Sequence, residues 1–131
     1  MSDKIINISL KDISVNNKSK CVVNTKITKN IPGILLIHAH WCGHCKRFLP
    51  TYQKLSQVLN TDGKMNLPVL AIESEELNDN NKVNKLNFRG FPTIKFFDQN
   101  GVIMDDDYNG DRSLKALLQE ICNRYHRCYT A

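Results

Sequence analysis

The chain has 131 residues, of which 41% are hydrophobic and 24% charged, and its formal net charge is +5. This length and composition predict one globular domain with an ordinary core and exclude a fibrous, disordered or membrane-spanning chain. Most of the excess charge lies in residues 1–30, where six lysines face two aspartates and no aromatic residue is present, so a solvated surface is favoured over a nucleic-acid interface.

The first 30 residues are predicted to form an N-terminal extension that packs on, or precedes, a main domain of residues 31–131. Within the extension, two short apolar runs suit edge strands and a polar stretch between them suits a turn. The runs are residues 5–10 and 21–23, and the turn is residues 16–20. Cys21 begins the second run, and we expect it to be a small strand residue with a buried or half-exposed thiol.

The unbroken apolar run from Ile34 to Ala39 predicts a central strand that is buried on both faces. A helix is predicted to follow from Cys42 to about Asn60, because apolar residues recur there at helical spacing. Its predicted buried stripe comprises Phe48, Tyr52, Leu55 and Leu59. Pro50 falls inside this helix, where a proline removes one intrahelical hydrogen bond and is expected to cause a kink.

The second half of the chain continues the alternation of strands and helices. The predicted elements are a strand at 67–73, a short helix at 78–86, a strand at 91–97, a hairpin turn at 98–101, a returning strand at 102–108, and a last helix with Leu114, Leu117, Leu118, Ile121 and Tyr125 on one face. Pro92 cannot donate to a ladder and therefore marks a break near the start of its strand. Asp111 or Ser113 is expected to cap the last helix.

Cys42 and Cys45 lie two residues apart at the junction between the central strand and the helix. Unpaired N–H groups and the helix dipole favour a thiolate there, so a lowered pKa is expected for Cys42. Gly43 lets the backbone tighten, and the two sulfurs can form and break a disulfide. Two other interpretations stay open, namely half of a zinc site or two inert thiols. The candidate additional zinc ligands are His38, His40 and His44.

Three motifs, WCGHCK at 41–46, GFPTIKFF at 90–97 and YNGDR at 108–112, together with Pro50, resemble the thioredoxin superfamily. The similarity extends over about residues 31–125 and is greatest to a catalytic domain of protein disulfide isomerase. It implies a thioredoxin-like, three-layer α/β/α fold with a mixed sheet of four to five strands. It also implies a thiol–disulfide oxidoreductase that acts on protein clients, is recycled by an unidentified reductant or oxidant, and needs no bound cofactor or metal.

The resemblance further implies the site residues. Cys42 would attack a client disulfide and Cys45 would resolve the mixed disulfide. The residues expected to tune this pair are Trp41, Gly43, His44, Arg112 and His38. The residues expected to hold an extended client segment are Phe91, Pro92, in the position of the superfamily's cis-proline, and Thr93. An ordinary solvated arginine in the first turn of a helix is the alternative for Arg112.

Two positions depart from the family pattern. Leu36 stands where a buried Asp or Glu usually relays the proton of the second cysteine, and Ala71 stands where isomerases place a lysine. The absence of both charges has a physical reason, because a buried charge without its partner destabilises the fold. Proton transfer at Cys45 would then use water, His38 or another group, and resolution is expected to be slower than in a full isomerase domain. A binding module that keeps the fold with little turnover is the rival hypothesis.

Two features of the sequence give conflicting indications of whether the protein reduces client disulfides or forms and isomerises them. Gly-His between the cysteines is typical of isomerases, whereas the ends of the chain indicate a reducing compartment. Residues 1–4 lead into polar sequence rather than a signal peptide, and residues 129–131 carry no retention signal. We therefore expect a cytoplasmic, monomeric protein for which reduction is favoured. The abundance of Asn, Lys and Ile is typical of an AT-rich genome, such as that of a parasite or a large virus.

Two further cysteines, Cys122 and Cys128, lie six residues apart on the predicted last helix. An intact helix would separate them by a rise of about 9 Å, which is too far for a disulfide. We therefore predict two unpaired thiols, in the core or near the terminus.

Overall fold

The computed structural model describes residues 4–131, so residues 1–3, which begin the predicted extension, lie outside the described residues. The strands are β1 (Ile6–Ile8), β2 (Ile13–Val15), β3 (Cys21–Val23), β4 (Gly33–His38), β5 (Val69–Glu73) and β6 (Thr93–Phe97). The helices are α1 (Thr25–Thr28), α2 (Gly43–Leu59), α3 (Asn80–Leu86) and α4 (Leu114–Tyr125). None of these helices is long and apolar enough to cross a lipid bilayer.

The main sheet has four strands in the order β1, β5, β4 and β6. The first three are parallel, whereas β6 runs antiparallel to β4. All six residues of β4 are buried, as its unbroken apolar sequence predicts. The sheet is therefore mixed, and its carboxyl edge is the edge at which β4 leads into α2.

Helices cover the main sheet on both sides and enclose two apolar cores. On one face, α2 and α4 pack their apolar stripes against the sheet, and the buried residues include Phe48, Tyr52, Leu55, Leu117 and Ile121. On the other face, α3 and the β2–β3 hairpin pack around Leu35, Ile37, Leu70 and Ile72. The predicted three-layer α/β/α architecture and the predicted stripe of α2 are confirmed.

The N-terminal residues take part in both sheets. β1 lies at the edge of the main sheet beside β5, while β2 and β3 form a separate antiparallel hairpin that the sequence did not predict as a pair. The predicted turn at residues 16–20 closes this hairpin, and the Asn16 side chain accepts hydrogen bonds from two of its backbone N–H groups. Cys21 is buried in β3. The division of the chain at residue 30 stays a prediction.

The predicted returning strand at 102–108 is wrong beyond Ile103. Only Val102 and Ile103 form isolated bridges, to Val22 and Phe97. The reason is Lys95, whose side chain is fully buried and therefore needs oxygen partners. Its Nζ lies 2.7 Å from the carbonyl of Asp105 and 2.7 Å from the carboxylate of Asp107. Met104 and Tyr108 still donate to the carbonyls of Phe96 and Ile94, and the backbone between them leaves the ladder and supplies these oxygens.

The prediction that Cys122 and Cys128 cannot bond is also wrong. They form a disulfide with a Cα–Cα distance of 4.4 Å. The helix ends at Tyr125, and His126 takes a left-handed conformation with φ 57° while its N–H donates to the Cys122 carbonyl. This C-cap turns the chain back toward the helix, whereas the prediction extended the helix through Cys128.

Candidate active site

The two cysteines lie at the carboxyl edge of the main sheet, where β4 ends and α2 begins. Cys42 is the N-cap residue of α2 and is half-buried, whereas Cys45 lies in the first helical turn and is buried. Both are free thiols in this structure. Cys42 is thus the more accessible member of the pair, and the unpaired N–H groups of the first turn favour its thiolate.

The surroundings shift the pKa values of the two thiols in opposite directions. The backbone N–H of Cys45, the Cys45 thiol, the N–H of His44 and the positive charge of Arg112 lower the pKa of Cys42. Burial raises the pKa of Cys45, despite a hydrogen bond with the Ala39 backbone. Of the two thiols, Cys42 is therefore the one that ionises more readily.

An apolar platform lies beside the Cys42 sulfur. The Phe91–Pro92 peptide bond is cis, and Cys42 Sγ lies 3.7 Å from the Phe91 carbonyl oxygen. Trp41 is 64% exposed and contacts Phe91 edge-on, with ring centroids 5.7 Å apart. The Thr93 hydroxyl donates to the Gly90 carbonyl at 2.6 Å and fixes the loop before β6. The structure thus brings together Cys42, Trp41 and the loop that carries Phe91 and Pro92.

His44 and Arg112 lie on the other side of the pair. The His44 ring accepts a hydrogen bond at Nδ1 from Nη2 of Arg47, 2.9 Å away, because a guanidinium can only donate. His44 stabilises the Cys42 thiolate through its backbone N–H. Arg112 acts on both thiols through its charge. Gly43 is open enough that an added Cβ would meet only Arg47, at 3.6 Å.

His40 and Glu73 form a contact that sequence reasoning missed. Nδ1 of His40 lies 2.5 Å from Glu73 Oε1, and the His40 N–H donates to the same oxygen at 3.2 Å. This carboxylate raises the pKa of His40. The N–H of Glu75, followed by the contacts from His40, lowers the pKa of Glu73 to about 2. Neighbouring parallel strands end at the same edge of a sheet. This rule could have predicted the contact from the sequence, because His40 follows β4 and Glu73 is the last residue of β5.

The position of the missing relay carboxylate is fully apolar. Leu36 and Ala71 are direct neighbours in the β4–β5 register, and both are buried. His38 is only 9% exposed, and its Nδ1 has no hydrogen-bond partner among residues 4–131. Burial lowers the pKa of His38, although Glu73 opposes this shift. His38 lines a cavity of about 410 Å³ together with Asp12 and Glu73, and neither thiol borders that cavity.

Potential metal ligands converge at a different place from the thiols. Among the described residues, one group of three ligand atoms lies within 4.8 Å of one another, formed by His40, Glu73 and Glu75. Two of these three side chains are already hydrogen-bonded to each other. No such group in residues 4–131 includes Cys42 or Cys45, so the zinc set considered from the sequence is not assembled there.

Comparison with known sequences gives one family and several named relatives. A sequence model described as thioredoxin matches residues 12–123. A Schizosaccharomyces pombe protein named thioredoxin domain-containing protein C13F5.05, mitochondrial, is 37% identical over 89 residues, which cover 66% of this chain and 23% of that protein. The S. pombe protein disulfide-isomerase C17H9.14c is 36% identical over 84 residues, covering 64% and 22%. The chain thus spans less than a quarter of the length of these relatives.

Comparison with solved structures gives the same architecture. A zinc-bound form of human ERp44 superposes with a TM-score of 0.68 at 22% identity, over 92% of this chain and 31% of that one. Spinach chloroplast thioredoxin F superposes with a TM-score of 0.62 at 21% identity, over 93% of this chain and 94% of that one. At these identities the likeness establishes the fold.

Proposed function

This chain belongs to the thioredoxin family, and from that premise we propose that it is a thiol–disulfide oxidoreductase that acts on protein disulfides through Cys42 and Cys45. The opposite pKa shifts of the two thiols carry this proposal. They favour the thiolate of the half-buried Cys42 and the protonated thiol of the buried Cys45, which is the arrangement that two-step exchange requires.

The reaction begins at Cys42. Its thiolate attacks one sulfur of a client disulfide, that S–S bond breaks, and the other client sulfur leaves as a thiolate. Cys45 then loses its proton and attacks Cys42 Sγ, which breaks the mixed disulfide and releases the client dithiol. Two electrons pass to the client, and the protein keeps a Cys42–Cys45 disulfide. With Leu36 at the relay position, the Cys45 proton leaves to water, so the second step is the slower one.

The client lies along the loop at Phe91 and Pro92 in this proposal. The Phe91 carbonyl close to the Cys42 sulfur supports that role, because an extended client can pair with exposed backbone there. Trp41 and Phe91 would cover the apolar side of the client disulfide. Thr93 acts indirectly by holding the loop.

Reduction is the favoured direction, with isomerisation possible. The midpoint potential of the Cys42–Cys45 pair in glutathione buffers tests this point. A value near about −270 mV would support a cytoplasmic reductase, whereas a value near about −180 mV would indicate an oxidant that works in an oxidising compartment. The recycling partner, the monomeric state and the cytoplasmic location stay predictions.

Replacing Cys45 tests the activity itself. The Cys45→Ser variant should accumulate a mixed disulfide between Cys42 and a model client, because the resolving thiol is gone. Non-reducing electrophoresis and mass spectrometry would detect it, and Cys42→Ser is the matched control that should form none. A binding module with little turnover, which Leu36 makes the rival, would bind the client equally in all three proteins and trap nothing.

A further inference from the structure

A groove of about 220 Å³ lies next to the dithiol on the α2 side, and we call it the cationic groove. Its lining residues are His44, Arg47, Phe48, Thr51 and Arg112. The first four follow one another at helical spacing on a single face of α2, and Arg112 comes from the segment just before α4. Phe48, which is 5% exposed, is the apolar residue of this lining.

Neither arginine of the cationic groove has an acidic partner. Among residues 4–131, no carboxylate lies within 4.0 Å of Arg47 or Arg112. Within the described part of the chain, the side-chain hydrogen bond of Arg47 goes to His44, which is not an acid. Arg124 shows the usual alternative, because it pairs with Glu120 at 3.2 Å and with Asp106 at 3.6 Å. The cationic groove therefore has guanidinium N–H donors left over for an anion.

The cationic groove also lies within reach of a client bound at Cys42. Nη1 of Arg47 lies 3.6 Å from the position that a Cβ on Gly43 would take, so this guanidinium folds back over the residue next to Cys42. The charge of Arg112 acts on both thiols, because it helps to lower the pKa of Cys42 and opposes the burial that raises the pKa of Cys45. Glu73 and Glu75 contact His40, and neither lines the cationic groove. The lining of the cationic groove thus contains two guanidinium groups and no carboxylate.

We propose that the cationic groove binds the carboxylate of a Glu or Asp side chain that lies next to the disulfide of the client. This inference rests on the proposed function and adds a substrate class to it. A carboxylate fits because a guanidinium presents parallel N–H donors that match its two oxygens. The side chain would enter from a segment held at Phe91 and Pro92, with its methylene carbons over Phe48.

The test compares two model peptides with one intramolecular disulfide that differ only in Glu or Gln beside a cysteine. The reduced protein should react about fivefold faster with the Glu peptide at low ionic strength, and the ratio should fall toward one at about 0.5 M salt. The Arg47→Gln, Arg112→Gln double variant should bring the ratio near one. Lys54→Gln removes an exposed cation elsewhere on α2 and should keep the ratio, which separates local binding from attraction by the net charge.

A binding measurement keeps the test independent of exchange. In the Cys42→Ser, Cys45→Ser variant, Trp41 fluorescence should report about fivefold tighter binding of a cysteine-free Glu peptide than of its Gln counterpart. Equal rates and equal affinities for Glu and Gln would overturn the assignment of the cationic groove, and so would a preference that survives in the double arginine variant. Absence of turnover with a retained binding preference would instead contradict the proposed function alone.

Discussion

At the scale of single residues, the site depends on two thiols that differ in solvent access. Cys42 receives backbone N–H groups and a guanidinium charge, all of which stabilise its thiolate. Cys45 is buried, and burial penalises its thiolate. In the proposed reaction, this difference makes Cys42 the thiol that attacks first and Cys45 the thiol that resolves the mixed disulfide.

This difference predicts the pH dependence of alkylation. The rate of Cys42 with iodoacetamide should follow its thiolate fraction and reach half of its maximum below pH 9.0, because its pKa is lowered from that ordinary value. Cys45, measured in the Cys42→Ser variant, should reach half of its maximum above pH 9.0. Arg112→Gln should move the Cys42 midpoint upward. Mass spectrometry of the labelled peptides gives both profiles, and a Cys42 midpoint at or above 9.0 would contradict the assignment of the nucleophile.

At the scale of elements, the register of β4 and β5 explains why the relay charges are absent together. Leu36 faces Ala71 directly, and both lie in the core beneath α2. A charge at either position alone would be buried without a partner and would cost several kcal/mol of stability.

Substituting both positions tests this reasoning. Leu36→Glu alone should lower the free energy of unfolding by roughly 3 kcal/mol, and adding Ala71→Lys should recover part of that loss. The charged pair should also speed resolution of the mixed disulfide, because a carboxylate near Cys45 can accept its proton. Urea unfolding and quenched-flow kinetics measure the two effects. Leu36→Gln with Ala71→Met is the uncharged control of similar size, and equal recovery there would refute the charge argument.

Elements with strong periodicity were predictable from the sequence, and those set by distant contacts were not. The helix from Cys42 to Asn60 and its buried stripe follow from apolar spacing, and the structure matches both. The sequence of segment 102–108 predicts a strand, but oxygens of Asp105 and Asp107 instead bind the buried ammonium of Lys95. The end of α4 depends on the left-handed backbone conformation of His126. Histidine adopts this conformation more often than most residues, but its presence alone does not predict a helix end.

At the scale of the whole molecule, the same distinction applies to the site. The dithiol is contiguous in sequence, so its chemistry could be inferred before the fold was known. The contact between His40 and Glu73 joins residues 33 apart, and the cationic groove joins α2 to the segment before α4. These contacts depend on the order of the strands in the sheet, so no local sequence pattern predicts them. The surroundings of the thiols therefore required the structure, whereas the thiols themselves did not.

The molecule also separates its two cysteine pairs between opposite ends of the main sheet. The dithiol follows the end of β4, whereas Tyr125, at the end of α4, donates to the Gly33 carbonyl at the start of β4. The Cys122–Cys128 disulfide lies next to Tyr125 and ties back the last residues, where Arg127 donates to the Asn66 carbonyl at 2.6 Å and Tyr129 packs against the core. This geometry predicts that the disulfide stabilises the fold and takes no part in exchange at Cys42.

The stability role predicts the effect of reducing the Cys122–Cys128 disulfide. Closing so short a loop should stabilise the fold by about 2 kcal/mol, because the crosslink restricts the unfolded chain. In a Cys42→Ser, Cys45→Ser background, reductant acts on this disulfide alone and should lower the urea midpoint. Adding Cys122→Ser and Cys128→Ser should lower the midpoint similarly and abolish its response to reductant.

With the dithiol intact, the same two terminal substitutions should leave the rate of client reduction unchanged. A large loss of that rate would show that the two cysteine pairs are coupled across the sheet.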